Sequence, residues 1–380
     1  MASRILIILC CISFVMQLGI GIVVPMLPGY ALGLGATATQ IGLIFASFSF
    51  SRTIFTPLIG ALADRSEMKR LILFGIICYA LLSIAYVGAS IPMHLICIRT
   101  LHGIASAFVI PLAMSYVAHI AQEGQEGVYM GSINMALLLG MGAGPLIGGV
   151  LTDTLGINAA FYSLAILSGV ALALGMSMLP PMRRRHPKGR EGTLKGIIRN
   201  PSLLGLLLFR IINALASGNL LAFIPLLAKK AGQSNTEIGI LISTNIFITG
   251  LLQRPFGRLV SPTNTIRLIM IGSFISAVSL ASLPLGRGFF TYLLLGSIMG
   301  FGSAISMPAA FVMIMEHGRK LGMSSTMGIF DSAMSLGMIL GPLVSGIIMD
   351  YVGISYVFYI GGFISLCGMM VFYFLSRRTA

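Results

Sequence analysis

The segment from Gly131 to Tyr162, GSINMALLLGMGAGPLIGGVLTDTLGINAAFY, recurs 197 residues later as GIFDSAMSLGMILGPLVSGIIMDYVGISYVFY, from Gly328 to Tyr359. Both copies keep five glycines, one of them in a Gly-Pro pair, one Asp and a closing Phe-Tyr at identical spacing. The apolar part of each copy is long enough to cross a hydrocarbon core of about 30 Å as a helix. The sequence therefore predicts a membrane protein that contains a duplication.

The same offset relates the rest of the chain without a gap. Gly21 matches Gly218, and the run from Thr39 to Gly42 (TQIG) matches the run from Thr236 to Gly239 (TEIG). The repeat unit contains six apolar spans, which is an even number, so both copies face the same way. This is the parallel repeat, about an axis along the membrane normal, that transporters with alternating access use.

Composition agrees with a membrane protein. Hydrophobic residues make up 57% of the chain and charged residues only 9%, whereas soluble domains carry about a quarter charged residues. We predict an all-α membrane protein whose twelve transmembrane helices form two pseudo-symmetric six-helix bundles, at residues 1–180 and 201–380, joined by a basic cytoplasmic linker at 181–200. The predicted spans lie at about 5–29, 39–61, 71–90, 93–118, 128–151, 159–179, 202–226, 236–257, 267–285, 289–314, 324–348 and 354–376.

The basic residues predict the orientation. With a cytoplasmic N-terminus, eighteen of the 24 Lys and Arg residues lie on the cytoplasmic side, three lie on the outer side, and three lie within spans. Such a bias is the positive-inside pattern, so we expect both termini in the cytoplasm and the protein in the plasma membrane. The net charge of +14 then orients the protein in the lipid bilayer and does not indicate nucleic acid. Anionic-lipid contact by the linker is a secondary interpretation.

Three motifs resemble those of the major facilitator superfamily, within it the drug:proton antiporters of the multidrug efflux type. The loop GALADRSEMKR after span 2 is similar to that family's G-x-L-x-D-R-x-G-R-K/R element, with Glu67 in place of the second glycine and Met68 at the arginine position that follows it. RTLHGIASA in span 4 resembles R-x-x-Q-G-x-G-x-A, with His102 in place of glutamine. Span 5 has the complete antiporter glycine pattern. The residues that carry the first and third motifs are Gly60, Asp64, Arg65, Lys69, Arg70, Gly131, Gly140, Gly144, Pro145, Gly148 and Gly149.

The resemblance implies gating roles for these motifs. It implies that the span 5 glycines seal span 5 against span 8, and by the same logic that the second copy seals span 11 against span 2. It also implies that Asp64 latches the inner gate near the N-terminus of span 11 and its basic neighbours, an arrangement without a counterpart in the second copy, where Ser261 stands. The alternatives are ordinary helix packing by small residues and a solvated loop charge.

Charges inside the bilayer are rare and costly, and therefore indicate function. Four lie well inside the predicted spans, away from the span ends: Arg52, Arg99, Arg210 and Asp331. Arg52, Arg210 and Asp331 lie about 12 to 15 Å from the cytoplasmic ends, at 1.5 Å per helical residue. An ion pair between Arg52 and Asp331 is predicted, with Arg210 as a rival partner. A purely structural pair, or arginines that extend toward the interface, is the alternative.

Proton coupling has two candidate sites. By resemblance Arg99 takes part in it, and His102, at i+3 from Arg99, could carry a proton because its ordinary pKa is about 6.5. The alternative for His102 is a simple hydrogen-bonding role. Spans 1, 4 and 7 contain no Asp or Glu, so coupling uses Asp331, uses His102, or is absent.

The cargo is predicted only in outline. Candidate polar residues of a substrate cavity are Gln17, Asn213 and Asn219. Three arginines against one aspartate fit neutral or anionic amphiphiles at least as well as cations. Proton-linked efflux by a rocker-switch mechanism leads, an uptake permease for a sugar or organic anion is second, and a non-transporting receptor is third. No nucleotide loop, metal-binding helix or nucleophile elbow occurs, so we expect no enzyme activity, no cofactor and no metal. We also expect a monomer.

Overall fold

The computed structural model describes residues 2–121, 125–182, 200–261, 263–321 and 323–377. Within these ranges, twelve helices are long and apolar enough to cross a membrane, and no strand occurs. The predicted all-α, twelve-span fold is confirmed. The predicted linker at 181–200 falls largely on residues 183–199, outside the described part of the chain.

The helices are numbered by span. The first, α1, continues through a 3-10 turn at Val24–Met26 into a short helix at Leu27–Gly33. A second 3-10 turn at Leu283–Leu285 extends α9. The bounds are α1 Ala2–Val23, α2 Ala38–Ala63, α3 Met68–Val87, α4 Pro92–Ile120, α5 Glu126–Leu155, α6 Ile157–Met178, α7 Pro201–Lys230, α8 Asn235–Gly257, α9 Thr265–Ser282, α10 Phe289–Leu321, α11 Met323–Tyr351 and α12 Ile354–Arg377.

Local sequence explains where several helices begin and end. Pro92 and Pro201 occupy first-turn positions, where a missing N–H costs nothing, and Asn200 caps α7 by accepting hydrogen bonds from the N–H groups of Ser202 and Leu203. Gly156 ends α5 with φ of +84°, and Gly353 follows α11 with φ of +106°. These two glycines are equivalent in the repeat, so the duplication preserves a turn that only glycine adopts easily.

The chain divides into two compact units. The first comprises Met1–Ala36, Leu43–Pro187 and Ser234–Ser243, and the second comprises Thr37–Gly42, Lys188–Gln233 and Thr244–Ala380. The start of α8 therefore belongs to the first unit, and the start of α2 belongs to the second. The domain bounds expected from the sequence remain a prediction.

Each unit has the same internal packing. In the first unit α1 packs on α5 and α6, while α3 packs on α4 and α6. In the second unit α7 packs on α11 and α12, while α9 packs on α10 and α12. Side chains buried in the first unit include Tyr79, Tyr86 and Phe161, and those in the second include Phe330 and Phe372. The repeated packing places the repeated spacing of the sequence at equivalent helix contacts in both units.

Candidate functional site

The span 5 glycines form a close contact with α1. A Cβ added to Gly144 would lie 2.5 Å from the Cα of Gly21, and one added to Gly140 would collide with the carbonyl of Phe14. Gly148 likewise faces the backbone of Ile22. Small residues at a helix crossing let two backbones approach closely. These three glycines therefore pack α5 against α1 inside the first unit, a contact that the sequence did not predict.

A second face of α5 meets the start of α8, also inside the first unit. A Cβ on Gly149 would lie 2.8 Å from the Cα of Thr236, and one on Gly239 would collide with the carbonyl of Pro145. The N–H of Leu146 donates to the Ser243 hydroxyl at 3.0 Å. The contact is thus mostly backbone against backbone. Gly131, which completes the motif in the sequence, has open space within 4 Å of the position that a Cβ would occupy.

The second copy repeats both contacts inside the second unit. Cβ atoms on Gly337 and Gly341 would meet the α7 backbone at Ile211 and Leu215. A Cβ on Gly346 would lie 2.9 Å from the Cα of Thr39. The glycines nearest the middle of α5 and α11 therefore serve packing within a unit, and only the last one of each set faces α8 or α2.

Arg99 and His102 lie in a buried aromatic site formed by α2, α3 and α4. Arg99 is 3% exposed, and its guanidinium carbon lies 4.2 Å from the centroid of the Phe48 ring and 5.7 Å from that of Phe45. Such a geometry is a cation–π interaction, and burial strengthens it. The Arg99 Nε has no hydrogen-bond partner among the described residues. Aromatic faces thus take part of the role that a carboxylate would have for this cation.

Two tyrosines that the sequence motifs did not indicate complete this site. Tyr86 Oη lies 3.2 Å from His102 Nδ1, and the Tyr79 ring packs edge-on to the imidazole with centroids 4.2 Å apart. Tyr86 also stacks on Phe161 at 5.0 Å. Both tyrosines are fully buried on α3, seven residues apart, which places them on one helix face. That spacing was the only available signal, and it is common in apolar helices.

Arg210 lies in a different kind of site in the second unit. Its guanidinium donates to the sulfurs of Met307 at 3.4 Å and Met334 at 2.8 Å, and it lies 4.9 Å from the centroid of the Phe330 ring. Asp331 is close enough to interact with Arg210 electrostatically. Thioether sulfur is a weak acceptor, so Arg210 keeps much of its capacity to interact with an anion.

The two charges predicted to pair differ in exposure. Arg52 is half-buried on α2, and Asp331 is exposed on α11. They belong to different units, and their pairing remains a prediction. Of the two candidate partners, Arg210 is the one that lies in the same unit as Asp331.

The loop after α2 holds its basic residues by local contacts. The Lys69 ammonium donates to the Met176 carbonyl at 3.0 Å, near the C-terminal end of α6, where a cation is favoured. Arg70 pairs with Glu67 at 3.0 Å, while Arg65 is exposed. Glu67 has φ of −76°, so this position requires no glycine. Asp64 is half-buried and directly follows α2. Its N–H donates a hydrogen bond to the Gly60 carbonyl at 3.2 Å. The latch role of Asp64 remains a prediction.

The predicted cavity residues lie in dissimilar surroundings. Asn219 is 1% exposed and accepts a hydrogen bond from Ser345 at 2.8 Å, a contact between α7 and α11. Asn213 lines a pocket of about 30 Å³ between α7, α9 and α12, together with Ser273 and Ser365. Gln17 is half-buried beside Gly140. Their contact with a substrate remains a prediction.

Among the described residues, no three His, Cys, Asp or Glu side chains lie together as metal ligands would. The chemistry of the site is instead that of buried cations, aromatic faces and closely packed helices. Twelve apolar spans in a parallel six-span repeat, with charged side chains inside those spans, define a polytopic membrane transporter.

Comparison with known proteins gives the family. The family model of the Major Facilitator Superfamily matches residues 9–212 and again residues 206–380. The chain therefore belongs to the major facilitator superfamily. It is 30% identical over 373 residues to the uncharacterised MFS-type transporter MJ1560 of Methanocaldococcus jannaschii, a match that covers 96% of each chain.

Two further comparisons bear on branch and fold. The chain is 26% identical to multidrug resistance protein 2 of Bacillus subtilis, covering 97% of this chain and 94% of the relative. The similarity to the multidrug efflux branch that the motifs predicted is thereby confirmed. The nucleoside transporter NupG has the same fold, with a TM-score of 0.82 at 16% identity, covering 98% of this chain and 99% of that one.

Proposed function

We propose that this transporter exports small amphiphilic compounds in exchange for protons, by alternating access of the rocker-switch type. The observation that carries the proposal is the arrangement of α5, whose glycines contact α1 on one face and whose Gly149 and Pro145 contact α8 on another. The second contact has few side chains to reorder, so it can separate and form again without unlocking interdigitated side chains. The similarity to a multidrug resistance protein supports the direction of transport.

Asp331 is the better candidate for proton coupling. It is exposed, and it interacts electrostatically with Arg210, whose hydrogen-bond partners Met307 and Met334 are weak acceptors. Protonation of Asp331 would release Arg210 from its charged neighbour, which gives the proton a defined effect on the second unit. His102, by contrast, is enclosed by aromatic rings one turn from Arg99, and a second positive charge there would repel the first. We therefore assign His102 a neutral hydrogen-bonding role.

The charges also bear on substrate class. Two arginines, Arg99 and Arg210, are buried against aromatic rings and, for Arg210, thioether sulfurs, whereas Asp331 is exposed. A cavity with this balance of charges favours neutral or anionic amphiphiles.

The distribution of Lys and Arg supports cytoplasmic termini and residence in the plasma membrane. We propose a monomer as the working form.

Transport into proteoliposomes tests the proposal. Purified protein is reconstituted, an inward or outward pH gradient is imposed with the membrane potential clamped, and neutral, anionic and cationic fluorescent amphiphiles are compared. We expect each transported compound to move in the direction opposite to the protons, and this movement to stop when a protonophore collapses the pH gradient. Flux that does not depend on the gradient would exclude antiport, flux in the same direction as the protons would indicate an uptake permease, and no flux with any compound would favour a receptor.

A further inference from the structure

Asp153, in the last turn of α5, caps the N-terminus of α8. Its carboxylate accepts hydrogen bonds from the backbone N–H groups of Asn235 at 3.2 Å and Thr236 at 2.7 Å. It also accepts from the Asn235 amide and from the Thr236 hydroxyl, both at 2.7 Å. All of these residues lie within the first unit.

Asp350, in the last turn of α11, does the same at the N-terminus of α2 in the second unit. Its carboxylate accepts from the N–H groups of Ala38 and Thr39, both at 2.8 Å, and from the Thr39 hydroxyl at 2.6 Å. Asp153 and Asp350 are equivalent in the repeat, as are Thr236 and Thr39. The molecule therefore contains the same junction twice.

Each capped helix already has its own capping box. Ser234 and Glu237 exchange side-chain to backbone hydrogen bonds at the start of α8, and Thr37 and Gln40 do so at the start of α2. A capping box satisfies the N–H groups of the N-cap and N3 positions, and leaves those of N1 and N2. The two N–H groups left over at each helix are those that the aspartate binds.

This division of donors makes the junction reversible. When the aspartate leaves, the capping box still holds the first turn of the helix, and water can bind the two freed N–H groups because the aspartates are exposed. The negative charge meanwhile favours contact, since the helix N-terminus carries a partial positive charge. Gly149 and Gly346, each four residues before its aspartate, leave room for the approach.

We propose that Asp153 and Asp350 are positioning residues for transport, acting as two equivalent latches that hold α5 to α8 and α11 to α2 in one of the alternating states and release them in the other. The proposal rests on alternating access as proposed above. The two latches differ in one bond: the Asn235 amide adds a donor to the first, and Ala38 offers none to the second. The Asp153 latch is therefore the stronger of the two.

Pulsed electron paramagnetic resonance tests this without substrate. Spin labels are placed at two exposed positions close in sequence to the first junction, Leu155 and Lys230, in a background whose five cysteines are replaced by serine. The variants are Asp153→Asn, Asp350→Asn and the double substitution, which retain size but lose charge and one acceptor oxygen. Thr154→Val is the matched control, because the Thr154 hydroxyl bonds only back to the Val150 carbonyl.

We expect each Asn variant to raise the fraction of long distances between the two spin labels about two- to fivefold, because it loses one or two hydrogen bonds. The double variant should raise this fraction most. Asn235→Ala should reduce the effect of Asp153→Asn to that of Asp350→Asn. Unfolding temperature and size-exclusion profile confirm that each variant is folded. Identical distance distributions in the parent and the folded double variant would overturn the proposal. Because no substrate is needed, shifted distances together with absent transport would retain the latches and reject the proposed function instead.

Discussion

Gly21 of α1 and Gly144 of α5 lie backbone to backbone, so that a Cβ on Gly144 would come within 2.5 Å of the Gly21 Cα. Neither helix can move aside without disturbing the packing of α1 on α6 in the same unit. The antiporter glycine pattern is thus, at this position, first a requirement of helix packing.

Gly144→Ala should lower the stability of the folded protein. The added methyl group meets backbone atoms, and overpacking of this kind costs about 1 to 3 kcal/mol, more than the roughly 1 kcal/mol that alanine gains over glycine within a helix. Gly131→Ala is the matched control from the same motif, since a Cβ there would have open space within 4 Å. Thermal unfolding in detergent should show a lower midpoint for Gly144→Ala and an equal or higher one for Gly131→Ala. Equal midpoints would show that the contact is not tight in the protein.

Phe48→Leu should destabilise the protein more than Phe45→Leu does. Both substitutions remove a ring of similar size, but the Phe48 centroid is 4.2 Å from the Arg99 guanidinium carbon and that of Phe45 is 5.7 Å away. A buried cation–π contact contributes about 2 kcal/mol, and it weakens with distance. The difference between the two unfolding midpoints measures the contribution of the cation. It should disappear in an Arg99→Met background, where a persisting difference would instead reflect ring packing alone.

His102→Gln should retain gradient-driven transport within about twofold, because the glutamine amide can still hydrogen-bond Tyr86. His102→Leu should lose stability by about 1 to 3 kcal/mol, since the buried Tyr86 hydroxyl then lacks this partner. The pair separates hydrogen bonding from proton transfer. Loss of coupling in a folded His102→Gln protein would identify His102 as the proton carrier and contradict the role assigned above.

Asp331→Asn should abolish gradient-driven transport while substrate exchange across the membrane continues. The amide keeps the size of the side chain but cannot take up a proton, so steps that need net proton movement fail and exchange at equal pH does not. Both rates are measured on the same proteoliposomes, and the ratio of gradient-driven transport to exchange shows whether Asp331 serves coupling. If both activities fall together and the protein is folded, Asp331 serves binding or structure rather than coupling.

Much of the fold follows from the sequence because a bilayer permits few structures. Apolar runs of fixed length give the number of spans, and matches at an offset of 197, such as Gly156 with Gly353 and Pro145 with Pro342, give the repeat. Backbone hydrogen bonds inside a membrane must be satisfied within each helix, so the length and composition of a segment are nearly sufficient to identify it as a transmembrane helix.

The site was less predictable, because helix contacts depend on which face of each span turns inward. The glycine spacing does not reveal that Gly144 faces α1 whereas Gly149 faces α8. Tyr79 and Tyr86 lie in an apolar helix, and nothing in their spacing distinguishes them from other buried residues. The sequence around His102 does not indicate that aromatic rings surround it. The sequence shows Asp153 and Asp350 as a repeated pair. Their main partners are backbone N–H groups, and a pattern of side chains does not indicate which N–H groups a carboxylate binds.

The exchanged caps also bear on how such a chain arose. Each aspartate caps a helix from the other copy of the repeat: Asp153 binds Thr236, and Asp350 binds Thr39. A six-helix ancestor with the same aspartate and the same threonine could form both caps with these partners only by associating with a second, identical molecule. Gene fusion would then have made a symmetric homodimer contact permanent, and the two caps would be what remains of that contact.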